Sequence, residues 1–181
     1  ILAFFGALYN CHMKYLIVSD IHGSEAGVAL LKNALFRERP DCLLLLGDLL
    51  HGSYDENPSD VKTLLDRWKG GTLAVCGNCD EPYSDGEYLG IELPLERKIS
   101  YQGYSVFMQH RPFYTNFPAK TILLNGHTHR KVLYEEEGVI HCNPGSISLP
   151  RDGVPSYATL EGSGIFLHNA ENGLTLGRIL F

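Results

Sequence analysis

Leu43-Leu44-Leu45-Leu46 is a run of four aliphatic residues with no polar face, bounded by Gly47-Asp48. Such a run reads as a strand buried on both sides, as in a sheet covered by other layers. Three further apolar runs end in the same manner. Tyr15-Leu16-Ile17-Val18 leads to Asp20 and His22, Leu73-Ala74-Val75-Cys76 to Asn78, and Ile122-Leu123-Leu124 to His127 and His129. Open α/β sheets place ligands at the carboxyl ends of their strands, so these polar ends are expected to converge.

Between the runs the period changes. The first strand covers about 14–19. From about Ser24 to Arg39, Val28, Leu31 and Leu35 recur on one helical face, and Pro40 stops the helix. After the Leu43 strand comes a polar loop, 52–57. Pro58 then opens a second helix that carries Val61, Leu64, Leu65 and Trp68 inward and ends at Gly70-Gly71. This β-α-β-α-β order predicts a parallel core. From Ile99 onward short strands dominate, with hairpins about Gln102-Gly103, Glu136-Glu137-Gly138 and Asn172-Gly173. An α/β half followed by a meander, with no linker, predicts two sheets face to face in one domain over residues 13–181. Residues 1–12 are expected to stand apart from it. Ile1 to Leu8 is greasy, too short for a membrane span, and lacks the positive residues that open a secretory signal. Met13 starts a clean strand, so the leader reads as an N-terminal extension ahead of a natural start.

Composition narrows the function classes. With 181 residues, 44% apolar and 20% charged, the chain is long enough for a full core and too apolar for long disorder. A net charge of −6 argues against duplex nucleic acid as a partner and leaves a small phosphorylated substrate open. No membrane partner is expected. Five cysteines, an odd number with three in or beside apolar runs, predict reduced thiols and a cytoplasmic location over a disulfide framework.

The candidate chemistry lies at the strand ends. Asp20-Ile21-His22 lets an extended turn aim a carboxylate and an imidazole at one point, although this spacing arises often by chance. Gly77-Asn78-Cys79-Asp80 read alone is a tight turn. Gly126-His127-Thr128-His129 is stronger, because two histidines directly after an apolar strand have no evident packing purpose.

In this order, D-x-H, G-D, G-N-x-D, a single His and G-H-x-H resemble the metallophosphoesterase (calcineurin-like) superfamily. The cysteine of Gly77-Asn78-Cys79-Asp80 and the run Asn143-Pro144-Gly145-Ser146 are similar to its YfcE-type phosphodiesterases. The resemblance implies a four-layer αββα sandwich of two mixed sheets flanked by helices. It implies one metal held by Asp20, His22, Asp48 and His129, and a second by Asp48, Asn78, His110 and His127. Mn²⁺ is the expected ion, with Zn²⁺, Fe or Ni²⁺ as alternatives. The implied activity is hydrolysis of a small or nucleotide-like phosphodiester by a metal-bridging hydroxide. Two dications, two carboxylates and a hydroxide sum to +1, which suits a diester monoanion and not a monoester dianion. A homodimer or higher homo-oligomer is implied by family analogy.

Two positions depart from the wider family pattern. Cys79 stands where many members have His, and reads either as the leaving-group acid or as a small packed residue. Asp80 either orients a proton donor or caps the segment after it. In His110-Arg111-Pro112, where close relatives have His-Gly-His, Arg111 reads as a solvated loop residue or as an extra cation favouring monoesters. His51, three residues after Asp48, reads as a phosphate contact or a surface histidine. Tyr54, Tyr83 and Tyr114 lie in loops near these motifs and offer faces for stacking. His141 and His168 read as structural. Against the diesterase stand a metal-dependent phosphomonoesterase and a non-catalytic scaffold that binds protein partners on the same fold.

Overall fold

The computed structural model describes residues 13–51, 59–80 and 89–181. The leader 1–12, the loop 52–58 with Tyr54 and Pro58, and the segment containing Tyr83 lie outside the described residues. The chain runs β1 (Tyr15–Val18), α1 (Glu25–Glu38), β2 (Cys42–Leu45), α2 (Ser59–Arg67), β3 (Gly71–Ala74), β4 (Glu96–Tyr101), β5 (Tyr104–Gln109), β6 (Thr121–Leu124), β7 (Lys131–Glu136), β8 (Val139–Pro144), β9 (Ser156–Glu161), β10 (Gly164–Asn169) and β11 (Thr175–Leu180).

The ends of α1 follow from local chemistry. Ser24 is its N-cap, with the side chain accepting from the Gly27 N–H, and Arg39 adopts a left-handed C-cap (φ 48°) before Pro40. The helix is thus one residue shorter at each end than its periodicity predicts. β3 starts at Gly71, two residues before the apolar run, because Gly71 pairs with Cys42 at the edge of the sheet.

Two mixed sheets form, ordered β11-β10-β9-β1-β2-β3 and β4-β5-β6-β8-β7. β1, β2 and β3 are parallel, as the alternation predicts. The second half is not a separate meander, because β9, β10 and β11 return to the first sheet, where β9 pairs antiparallel with β1. This return gives β1 a neighbour on each side, without which its backbone would be a sheet edge. It also places Tyr15–Val18, buried throughout, deep within the sheet.

The pleat explains the unbroken aliphatic runs. Leu16, Val18, Leu43 and Leu45 pack with Val28, Leu31, Val61 and Leu64 under the two helices. Ile17, Leu44 and Leu46 pack against Val106, Met108, Ile122, Leu124 and Ile140 between the sheets. Both faces are therefore covered. The result is the expected pair of face-to-face mixed sheets, with helices, among the described residues, over the first sheet and not the second. Among the described residues the fourth layer is irregular chain, with Phe117 set against Phe107 of β5 at 5.0 Å between ring centroids.

Candidate metal centre

β1, β2, β3, β5 and β6 all release their chains at one rim of the sandwich, and the residues just beyond them cluster there. Asp20 (φ 56°), His22 (φ 52°), Asp48 (φ 50°), His127 (φ 70°) and His129 (φ 58°) all hold left-handed backbone. That conformation costs a non-glycine residue roughly 1–2 kcal/mol and persists where its surroundings over-determine it. Here the turns brace one another: the N–H groups of Asp20 and His22 donate to the carbonyls of Gly47 (3.1 Å) and Asp48 (2.9 Å). The Ser146 and Ser148 hydroxyls both donate to the Asp20 carbonyl at 2.8 Å. Asn143 Nδ2 donates to the Gly126 carbonyl (2.7 Å) and to Thr128 Oγ1 (3.1 Å), holding the loop that carries both histidines.

The donor atoms fall into two groups sharing one oxygen. In the first, His129 Nε2 lies 3.3 Å from Asp20 Oδ1 and 3.2 Å from His22 Nε2, which is 3.8 Å from Asp48 Oδ2. In the second, His110 Nε2 lies 3.3 Å from Asp48 Oδ2, 3.2 Å from Asn78 Oδ1 and 3.3 Å from His127 Nδ1. Asp48 Oδ2 belongs to both groups, while Asp48 Oδ1 accepts the Cys79 N–H at 2.8 Å.

The imidazoles are set as ligands. The Nδ1–H groups of His110 and His129 donate to the carbonyls of Leu46 and Leu149, each at 2.7 Å. A carbonyl can only accept, so the neutral form of each ring turns an Nε2 lone pair to the cluster, the form a cation would select. Asp20 Oδ1 is buried with no hydrogen-bond partner. An orphaned carboxylate oxygen facing imidazole lone pairs is costly in a bare protein and fits a divalent cation.

Burial opposes the charge on His110, but its hydrogen bond and charge pairing with Asp48 outweigh it and raise its pKa. Burial opposes the charge on Asp48, but the imidazoles of His110 and His22 and the Cys79 N–H outweigh it and hold the carboxyl at about 2. Burial, with the neighbouring imidazoles, lowers His22 to about 4, leaving it neutral and able to coordinate near pH 7. His127 is lowered by burial and by the charges of His110 and Arg111. Burial raises Asp20.

All seven residues of the expected ligand set thus lie in one cluster, and the four remaining candidates surround it. His51 is exposed at the mouth, its Nδ1 3.2 Å from His22 Nδ1. The Cys79 thiol is pushed up to about 12 by burial and by the Asp48 charge, which makes it a weak acid. Asp80 is fully buried. Its Oδ1 accepts the N–H groups of Leu49 (2.9 Å) and Leu50 (3.1 Å), and its Oδ2 that of Gly77 (2.9 Å), so it ties the Asp48 turn to the Asn78 turn. Asp80→Ala leaves three buried donors unpaired, at about 1–3 kcal/mol each before relaxation. The expected outcome is a loss of several kcal/mol in denaturant unfolding and weaker metal uptake. Arg111 is exposed and lines a cavity beside Asn78 and His110.

Ser146, Ser148 and the carbonyls of Leu46 and Leu149 have tasks here that the sequence does not disclose. The run Asn143-Pro144-Gly145-Ser146 is visible as a motif, but its bracing role is not. A backbone acceptor leaves no residue-type signal at all.

Residues 13–164 match the calcineurin-like phosphoesterase superfamily domain. The chain is 30% identical over 164 residues to phosphodiesterase YfcE of Escherichia coli strain K12, covering 82% of this chain and 88% of that protein. The solved structure of the E. coli YfcE phosphoesterase superposes with a TM-score of 0.82 at 26% identity, over 93% of this chain and 99% of that one. Wild-type Vps29 from Entamoeba histolytica, solved in complex with Zn²⁺, shares the fold with a TM-score of 0.66 at 21% identity, over 93% and 99% of the two chains.

Proposed function

The chain belongs to the calcineurin-like phosphoesterase superfamily, and from that premise we propose that it is a dinuclear-metal phosphodiesterase acting on a small or nucleotide-like diester. The observation that carries the reading is Asp48 Oδ2, placed between two separate donor groups where one oxygen would touch both ions. The first ion would be held by Asp20, His22, Asp48 and His129, and the second by Asp48, Asn78, His110 and His127. A donor set of imidazole nitrogen and carboxylate or amide oxygen, without thiolate, suits Mn²⁺ first, then Zn²⁺, Fe or Ni²⁺.

When bound, two divalent ions supply the charge that activates a water nucleophile and neutralises phosphoryl oxygens. The chain's own residues supply position. The strained, mutually bonded turns hold the donors before any ligand arrives, so little reorganisation is left for the reaction. His51 stands at the entrance with its outer edge open to a phosphoryl oxygen. With its thiol pushed up by burial and the Asp48 charge, Cys79 is a weak acid and a poor proton source for a leaving group. Turnover is therefore expected to fall as the leaving-group pKa rises, and Cys79→His to flatten that dependence. Asp80 acts as a strut. The four cysteines among the described residues form no disulfide, and no described helix is long and apolar enough to cross a membrane. The thiols support a reducing, cytoplasmic setting.

A monoesterase is the second reading, supported by Arg111, which faces no acidic partner among the described residues and stands beside the second donor group. Turnover of bis(p-nitrophenyl) phosphate and of p-nitrophenyl phosphate with added Mn²⁺ separates the two. The diester is expected to be preferred, with activity abolished by EDTA and restored by Mn²⁺. Activity that survives exhaustive chelation would refute the metal reading. A monoester preference that disappears in Arg111→Ala would favour the second.

A further inference from the structure

His22, His51 and Cys79 form a third donor group at the mouth of the centre, with one nitrogen of each ring and the thiol sulfur all within 4.8 Å of one another. They come from the chain just after β1, β2 and β3. His22 Nδ1 lies 3.2 Å from His51 Nδ1, and the two rings meet edge to face at 70° with centroids 5.2 Å apart. Two nitrogens on one tetrahedral zinc, each at roughly 2.0–2.1 Å, stand about 3.3 Å apart, so the imidazoles are already spaced as a ligand pair.

The backbone beneath each donor is fixed. The His22 N–H donates to the Asp48 carbonyl at 2.9 Å, and the Cys79 N–H to Asp48 Oδ1 at 2.8 Å. Asp80 holds the N–H groups of Leu49 and Leu50, just before His51, and that of Gly77, just before Asn78 and Cys79. The sulfur itself accepts from Asn78 Nδ2 at 3.4 Å. His51 is exposed and Cys79 partly so, which leaves the group open to an ion arriving from solvent.

This group differs in kind from the two that meet at Asp48. It offers a sulfur and no carboxylate, a set that selects zinc and softer ions over Mn²⁺. It also shares His22 with Asp20 and His129. A neutral imidazole has one lone pair, so His22 serves one ion at a time.

We infer that His22, His51 and Cys79 capture a thiophilic divalent ion, Zn²⁺ first, at the expense of the first ion of the proposed centre. As the sulfur–zinc bond forms, the Cys79 thiol proton passes to solvent and no electron is transferred. His22 is withdrawn from Asp20 and His129, and turnover stops. Zinc is then an inhibitor of the Mn²⁺-loaded chain. Capture rests on these three side chains alone, and its effect on turnover rests on the dinuclear reading.

The test is titration of the Mn²⁺-loaded chain, with Co²⁺ as a spectroscopic probe and then with Zn²⁺. Cobalt bound to a thiolate gives a near-ultraviolet charge-transfer band that the two sulfur-free donor groups do not produce. The band is expected in the parent chain and absent in Cys79→Ser, with bound Mn²⁺ retained by that variant as the fold control. His51→Ala is expected to weaken cobalt binding on the order of tenfold or more. With Zn²⁺, metal analysis of the desalted parent chain is expected to show one zinc gained and one manganese lost, and turnover of bis(p-nitrophenyl) phosphate to fall in step. Cys79→Ser is expected to need on the order of tenfold more zinc for half-inhibition, each chain being scored against its own zinc-free rate. No band, a band that survives in Cys79→Ser, or equal zinc sensitivity of the two chains overturns the inference. A band with both manganese ions retained overturns the competition for His22. A chain that takes up no Mn²⁺ yet shows the band refutes the dinuclear reading and not the third group. Two bound Mn²⁺ ions and diester hydrolysis without the band do the reverse.

Discussion

Asp48→Asn is expected to lower diester turnover on the order of a thousandfold or more, about 4 kcal/mol of transition-state stabilisation, and to reduce bound metal below two ions per chain. The amide keeps an oxygen for the Cys79 N–H, which Asp48 Oδ1 accepts at 2.8 Å, so the turn can stay folded. What disappears is the one charge placed between both donor groups. Metal content by mass spectrometry, with far-UV circular dichroism as a fold control, separates loss of the site from loss of the protein. A variant that retains two ions and near-normal turnover would remove the basis of the dinuclear reading. The same substitution has an acid signature in chelated protein. The Asp48 carboxyl is held at about 2, below its ordinary 3.8, so its charged form stabilises the fold above roughly pH 4. That stabilisation is lost as the pH falls from about 4 towards 2, and the variant should lack this part of the acid dependence.

Gly77→Ala is expected to be nearly as damaging without touching any donor atom. A Cβ at Gly77 would lie 2.1 Å from Asp48 N and 2.2 Å from Asp48 Oδ1, and one at Gly47 would lie 2.7 Å from Gly77 N. Two glycines therefore meet where the β2 and β3 turns touch, and a methyl group at either forces Asp48 and Asn78 apart. The cost is about 1–3 kcal/mol of overpacking, together with on the order of a hundredfold in turnover for a displacement near 1 Å. Gly177→Ala is the matched control. Its nearest contact would be Leu133 at 3.8 Å, and it is expected to change neither stability nor activity measurably. Thermal unfolding and metal titration of both variants test the contrast.

The gap between sequence and structure at these positions has a physical pattern. Gly77 and Asn78 are legible as a turn and as part of a motif, since turn chemistry is carried by residue type. Their contact with Gly47 and Asp48 is not, because close approach between two turns is a property of packing. Ser24, Arg39 and Pro40 announce the ends of α1 by the same local logic. The hairpins at Gln102-Gly103 and Glu136-Glu137-Gly138 are equally plain, with positive φ at each of the last two residues. The return of β9, β10 and β11 to the first sheet was not legible. Ile17 pairs with Ala158 across most of the chain, and no periodicity encodes a pairing at that separation. Nor does a pattern of side chains reveal that Asp20, His22, Asp48, His127 and His129 sit in left-handed backbone, since that conformation is imposed by neighbouring turns against intrinsic preference.

From its residues alone, the chain determined that unbroken apolar strands would be buried on both faces and would end in acid, amide and imidazole groups, because burial and turn formation depend on residue type over short spans. Only the tertiary structure decided that Asp48 Oδ2 faces both donor groups, that Asp20 Oδ1 is left without a hydrogen bond, and that His22, His51 and Cys79 meet at the mouth of the centre. These are distances between segments far apart in sequence, set when two sheets pack and their strand ends are forced to share one rim.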